Sequence, residues 1–298
     1  MAKAEETYPY YRSLCPKEKE EKLLKYIAGL REEKQRQNAI KSYHEAMKKF
    51  KPKDLELYDL KKWKFDDKFL SLLEFMKKDE LKGEFPEPLE EVLDGVFRFP
   101  MVEEKFASRL LDEVAYFQDW CKKTGQSIVR PNSMNNYGAI LDHFGFKTTL
   151  SDLVSSVIQP LAAKLYRPEF ANKYGLDSHH GFLVEYETGK DTNLNFHRDD
   201  SEITLNLCLG KEFRGGELYF GGVRCPNCNQ VPPYTYESKY VEHKVGYGVL
   251  HLGAHRHAAT SIKNGIRKNL IVWCRSDGFR KNEQAKKDCP EWCGAYCG

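Results

Sequence analysis

Two hydrophobic periods divide the chain. In the first part Leu23, Leu24, Ile27 and Leu30 recur at helical spacing among Lys, Glu and Gln, from Pro16 to about Lys78. That spacing predicts an amphipathic helix with a solvated charged face, interrupted at Pro52. Gly and Pro between Lys82 and Leu93 mark a linker. A second helix is predicted over Glu103–Lys122, with Phe106, Leu110, Leu111, Val114 and Phe117 on one face. A polar, turn-rich stretch runs from Arg130 to Gly138, and a further helix is expected from Leu150 to Tyr166. After Ser178 the period shortens to two. Short β-rich runs at Phe182–Glu187, Ile203–Leu209, Glu217–Phe220, Gly248–Leu252, Ala258–Ile262 and Asn269–Cys274 alternate with Gly, Asn and Asp. Strands at such intervals predict a sandwich or jelly roll, and with the helices before them an α+β chain. The expected segments are 1–93, a charged helical region; 94–177, a helical support; 178–276, the β core; and 277–298, a Cys-rich tail.

Composition narrows the function classes. A chain of 298 residues can bury a sizeable core without disulfide staples. The net charge of +3 and the lack of an aromatic-basic platform argue against nucleic acid as partner. Met1–Arg12 has no apolar core of a secretory signal, and no run approaches membrane-spanning length. The expectation is an intracellular protein, cytoplasmic or nuclear, with no membrane partner. Nine cysteines in a reducing compartment are then thiols or metal ligands.

The first chemical feature is Asn195-Phe-His197-Arg-Asp199. Residues two apart on a strand face the same way, so His197 and Asp199 can reach one metal while Arg198 points away. Imidazole plus carboxylate suits a borderline metal such as Fe(II). A third ligand must come from elsewhere. His251, His255 and His257 share one strand parity, so alternation cannot choose among them. Two histidines and one carboxylate leave three metal positions open. A 2-oxo acid fills two of them and needs a fixed cation for its remote carboxylate. Arg267, at the start of the apolar run Asn269–Cys274, offers the forked guanidinium suited to that task.

With these residues in place the chain resembles the 2-oxoglutarate- and iron-dependent dioxygenases of the prolyl/lysyl hydroxylase type. The likeness includes Tyr186-x-x-Gly189, Thr204-x-Asn206, Gly215-Gly216-Glu217, and His257 with Arg267 ten residues on. The ten-residue step, which the family shares, selects His257. Upstream, Phe97-Arg-Phe-Pro100 and Arg130-Pro-Asn-Ser-Met-Asn-Asn136 resemble the 2-oxoglutarate and iron-dependent oxygenase domain-containing protein 2 family. The β-rich part is also similar to the catalytic domain of procollagen lysyl hydroxylases, but the missing secretory signal counts against collagen as substrate. The resemblance implies a double-stranded β-helix flanked by helices, Fe(II), 2-oxoglutarate and O2, and ascorbate as reductant. It implies hydroxylation of a C–H bond with release of succinate and CO2, on a protein or peptide side chain of the Lys or Pro type. A silent scaffold on the same fold, or an oxygenase of small molecules, is the alternative.

Supporting roles follow from parity. Thr204 and Asn206 alternate with Ile203, Leu205, Leu207 and Leu209, so they face the pocket if the leucines face the core. They are candidates for touching 2-oxoglutarate or the metal ligands, and Tyr186 is a candidate donor to the 2-oxoglutarate carboxylate. Asn132, Asn135 and Asn136 resemble a loop at the site mouth that positions substrate, and Trp273 shares the parity of Arg267 as a pocket wall. Cys225-Pro-Asn-Cys228 has zinc-knuckle spacing. The tail cysteines Cys289, Cys293 and Cys297 do not, and the spacing alone does not bring the two groups together, so free thiols or an occasional disulfide are expected.

Overall fold

A computed structural model of the chain describes residues 15–77, 86–166, 173–283 and 293. The chain divides into two compact units, Met1–Lys51 and Pro52–Gly298. Within the first, helix α1 runs Pro16–Met47, opened by Pro16 in its first turn, and Glu18 accepts from the Cys15 amide at 2.8 Å. The helix is present, but its predicted apolar stripe is not covered. Leu24 and Leu30 are 59% and 52% exposed, and Leu23 and Ile27 are half-buried.

The second unit begins well before the β core expected at 178. Helix α2 (Asp67–Lys77) packs Phe69 in a stacked contact with Phe99, ring centroids 5.1 Å apart. Strands β1 (Glu90–Leu93) and β2 (Val96–Pro100) form a hairpin where a linker was expected. The Gly and Pro there serve the turns around it, and the expected linker residues 82–85 lie outside the described residues. Helix α3 (Glu104–Thr124) buries Phe106, Leu110, Leu111, Val114 and Phe117, the predicted face. It stops at Gly125, whose left-handed φ of 69° lets the Gln126 amide bond the Cys121 carbonyl at 2.8 Å. Strand β3 (Gly138–Ile140) follows. Helices α4 (Lys147–Leu153) and α5 (Gln159–Leu165) are continuous through a π-turn at Val154–Ile158, next to Pro160, which lacks an amide hydrogen.

The remaining strands are β4 (Ser178–Glu187), β5 (Leu194–His197), β6 (Ile203–Gly210), β7 (Phe213–Gly215), β8 (Leu218–Val223), β9 (Ser238–Val241), β10 (Tyr247–Leu252), β11 (His255–Ala259) and β12 (Ile262–Arg275), before helix α6 (Asp277–Glu283). The major sheet is ordered β1-β2-β10-β6-β12-β4-β3, with β7 on β12, and the minor sheet β5-β11-β8-β9. All pairs are antiparallel. Together they make the jelly roll of a double-stranded β-helix. Two apolar clusters join the sheets: Val96, Val249, Leu218 and Phe220 at one end, and Phe182, Ile271, Trp273 and Ala259 at the other. Strand β6 is buried along its whole length because both faces are covered. Among the described residues no helix is long and apolar enough to cross a membrane.

Glu113 explains why the second unit starts at Pro52. It lies on α3, 1% exposed, and accepts from the amides of Lys53 and Asp54 and from the Tyr58 hydroxyl, each at 3.0 Å. Arg109, one turn earlier, forks onto Asp54. Three donors converge on one buried carboxylate, so its removal leaves them unsatisfied. Glu113→Ala is expected to destabilise the fold by about 3 kcal/mol, with urea denaturation as the measurement. An unchanged midpoint would show that the 52–58 segment is not held by this anchor.

Candidate metal centre

The centre is built by pairing two strands of the minor sheet. β5 and β11 run antiparallel with His197 directly opposite His257, and their ring centroids lie 4.4 Å apart. Asp199 follows β5 and is held by its amide, which donates to the Gly253 carbonyl at 3.0 Å. The ligand atoms of His197, Asp199 and His257 all lie within 4.8 Å of one another. His197 Nε2 is 3.4 Å from one Asp199 oxygen and His257 Nε2 is 3.7 Å from the other. Nδ1 of His197 meets the Asn195 carbonyl at 2.7 Å, and Nδ1 of His257 meets the His255 carbonyl at 3.0 Å. A backbone acceptor at Nδ1 puts the proton there and leaves the Nε2 lone pair free for a metal.

Charge supports the same reading. Burial opposes the ionised form of Asp199, but His257, His197 and His251 beside it hold its carboxyl far below the usual range. Burial pushes His257 down to about 3, so its imidazole is neutral. Thr204 donates to Asp199 Oδ2 at 2.7 Å and is itself paired with Ser201 at 2.7 Å. His251 is fully buried, with Nε2 3.9 Å from Asp199. His255 points elsewhere, and the three-ligand cluster contains neither.

One cavity of about 430 Å³, its open mouth included, is lined by His197, Asp199, His257, Arg267, Tyr186, Thr204, Asn206, Asn132, Asn135 and Trp273. Arg267 is 2% exposed. Its guanidinium lies over the Tyr186 ring, 4.2 Å from the centroid, and donates to the Gly216 carbonyl. Gly216 has φ 74°, and a side chain there would crowd Arg267 Nη1 at 3.2 Å. That is the structural use of the Gly215-Gly216 step. Among the described residues no carboxylate pairs with Arg267, and its Nε has no partner. A buried guanidinium without an acid is costly, so the cavity fits an anionic carboxylate ligand as well as a metal.

The other sequence candidates divide. Thr204 holds a metal ligand. Asn206 accepts from Asn269 Nδ2 at 2.6 Å. Tyr186 accepts from Asn135 Nδ2 at 3.0 Å, and its own hydroxyl proton is left for another acceptor. Asn132 closes its own turn, accepting from the amides of Met134 and Asn135. The indole N–H of Trp273 is buried and unpartnered. Asn136 is not in this cavity. It is tied to Asp191 at 2.7 and 2.8 Å and lines a separate outer groove with Tyr137 and Lys190. The reason is alternation along the loop: Asn135 turns in and Asn136 out. Asn269 was missed. It lines the cavity with an unpartnered Oδ1, and its parity with Arg267 and Trp273 was the signal. His243, half-buried against Asn269 at 3.3 Å, had none.

The OGFOD2-like domain family matches residues 46–175. The chain is 44% identical over 223 residues to the 2-oxoglutarate and iron-dependent oxygenase domain-containing protein ICU11 of Arabidopsis thaliana, covering 74% of this chain and 54% of that one. It is 42% identical over 205 residues to 2-oxoglutarate and iron-dependent oxygenase domain-containing protein 2 of Danio rerio, covering 68% and 54%. It is 24% identical over 187 residues to procollagen-lysine,2-oxoglutarate 5-dioxygenase 2 of Mus musculus, covering 60% and 23%. The chain spans about half the length of the first two relatives. Identity of that order over two thirds or more of its own length makes this chain a member of the 2-oxoglutarate and iron-dependent oxygenase domain-containing protein 2 family.

Proposed function

We propose that the chain is an active Fe(II)- and 2-oxoglutarate-dependent hydroxylase of a protein or peptide side chain. The observation that carries this reading is the buried, acid-free Arg267 in the same cavity as His197, Asp199 and His257. His197, Asp199 and His257 would hold the iron, and Thr204 fixes the Asp199 carboxylate. Arg267 holds the remote carboxylate of 2-oxoglutarate by charge and fork geometry. Tyr186 braces the guanidinium with its ring and adds its hydroxyl. Asn206 and Asn269 give the cavity floor a polar side. When bound, the iron and cosubstrate supply an oxidation that converts 2-oxoglutarate and O2 to succinate and CO2 and hydroxylates a C–H bond. Leu218, Ala259 and Ile271 keep the walls apolar and limit water.

A macromolecular substrate is supported by what surrounds the mouth. The loop carrying Asn132 and Asn135 separates the cavity from the outer groove. There Ile128, Val129 and Tyr137 are about 40% exposed beside Lys190. Apolar surface with a few polar groups suits an extended peptide more than a small metabolite. The procollagen-lysine relative acts, by its name, on a lysine of a protein. Asn132, Asn135 and the Trp273 indole N–H are the groups we assign to holding the substrate segment, with Lys or Pro as the residue type.

Arg267→Ala is expected to weaken 2-oxoglutarate binding at least about 100-fold and to abolish the Fe(II)–2-oxoglutarate charge-transfer absorption. Survival of that band at full intensity would move the anchor elsewhere. Thr204→Val should loosen iron about 10- to 100-fold in a metal-competition titration, since it frees one Asp199 oxygen. Incubated with Fe(II), 2-oxoglutarate, ascorbate and a peptide library, the protein should release succinate and yield a peptide one oxygen heavier. If succinate and product both stay at the level of an Asp199→Ala control, the chain is a silent scaffold.

A further inference from the structure

The segments that carry His197, Asp199 and His257 have a second face. Arg198 lies between two of these residues and Arg256 precedes the third, so both point to the opposite side. There the connection between β8 and β9 folds back. Arg256 donates to the carbonyls of Asn229 at 3.0 Å, Val231 at 2.6 Å and Gly221 at 2.8 Å. Arg198 donates to the Arg224 carbonyl at 3.3 Å. The connection has two short 3-10 turns as its regular structure, one of them at Pro226–Cys228.

Cys225, Cys228 and Cys293 meet in this corner. Their sulfurs lie within 4.8 Å of one another and all three residues are buried. The Cys225 amide points at the Cys293 sulfur at 3.3 Å. Tetrahedral zinc with Zn–S of about 2.3 Å places sulfurs about 3.8 Å apart, which this spacing accommodates. The surroundings are cationic. Arg198 is within electrostatic reach of the sulfurs of Cys225 and Cys293, and Arg224 and Arg256 of that of Cys293. Arg224 pairs with Glu237. Among the described residues Arg198 has no carboxylate within electrostatic reach, and the buried Arg256 has Glu237 within reach but not in an ion pair. Arg198, whose nearest anionic partners are the sulfurs of Cys225 and Cys293, is compensated there by an anion. Neutral thiols do not supply it, whereas thiolates on a metal do.

We propose that Cys225, Cys228 and Cys293 bind a structural zinc ion as thiolates, with one position left for a fourth donor. A thiol reductant first delivers two electrons and two protons to the Cys228 disulfide and is itself oxidised to a disulfide; the three thiols then give up their protons to solvent as the metal enters, with no further redox change. The ion pins residues 225–231, whose carbonyls hold Arg256, and so braces β11 from behind. Cys228 is disulfide-bonded in this structure, and a disulfide and zinc compete for the same sulfur.

The test is metal analysis of the full chain purified under reducing conditions, in an Asp199→Ala background so that the iron site does not contribute. About one zinc per chain is expected, falling below a fifth of that in Cys225→Ser and in Cys293→Ser. Zinc X-ray absorption should report a sulfur-dominated shell. If the serine variants do not fold, cobalt exchange into the Asp199→Ala protein replaces them, and thiolate-to-cobalt charge-transfer absorption is expected. Absence of zinc together with absence of that band overturns the proposal. So does zinc with a nitrogen and oxygen shell. A Cys228 disulfide that persists in the zinc-free protein under reductant does the same. None of these outcomes bears on the oxygenase reading.

Discussion

The site depends on the register between β5 and β11. His197 and His257 are sixty positions apart in the chain but directly opposite in the minor sheet. Because side chains alternate, a slip of either strand by one residue would turn its imidazole out of the cavity and bring Arg198 or Arg256 in. A buried charge would then face the metal position. The register is held from several sides. The Asp199 amide is bonded to Gly253, and β11 is paired on its other edge with β8. Gly253 itself tolerates no side chain, since a Cβ would lie 1.9 Å from the Ser201 carbonyl. That close approach lets the chain turn from β10 into β11 directly beside Asp199.

The second constraint is strand β12, which lies between β6 and β4 and is paired on both edges. Arg267, Asn269, Ile271 and Trp273 share its cavity face, and Leu270, Val272 and Cys274 the core face. One strand thus grades the pocket from a cation through an amide to apolar walls. The apolar half makes the cation effective. Low local dielectric weakens hydration of Arg267 and strengthens its attraction to an entering carboxylate. Burial indeed disfavours its charge, and the groups that offset this are the Tyr186 ring and hydroxyl, the Gly216 carbonyl and, more weakly, Cys208 and Glu217. On the proposed reading such a site would select an acid of one length, because the distance from the metal ligands to the guanidinium is set by the sheet.

Much of this was legible because period two is a strong signal when one face is chemical. His-x-Asp, the Arg267 strand and the Thr204/Asn206 alternation are local patterns, and local patterns survive in sequence. Choosing His257 over His251 and His255 was not local. It rested on a resemblance, and the structure accounts for it by cross-strand pairing with His197. The β1–β2 hairpin was hidden because Gly and Pro mark tight turns and linkers alike. The division at Lys51 was hidden because Glu113, sixty residues away, is what captures Lys53. The approach of Cys293 to Cys225 spans 68 positions, and no spacing rule reaches that far.

Alternation also explains why one short stretch serves two unlike environments. On β5, the two residues that follow it and β11, the odd-numbered His197, Asp199 and His257 face a cavity that needs neutral imidazoles and one carboxylate. The even-numbered Arg198 and Arg256 face a corner rich in sulfur and backbone carbonyls. The two faces share no side chain, so neither can disturb the charge balance of the other through direct contact. They do share backbone. A restraint on Arg256 is a restraint on the φ and ψ of its neighbour His257, and so on where Nε2 points. Metal geometry tolerates small ligand errors poorly. Strands this short, four residues in β5 and five in β11, have few ladder bonds of their own. Besides the β8 ladder and the Asp199–Gly253 bond, the arginines on the reverse face tie this part of the sheet to the carbonyls of Arg224, Asn229, Val231 and Gly221.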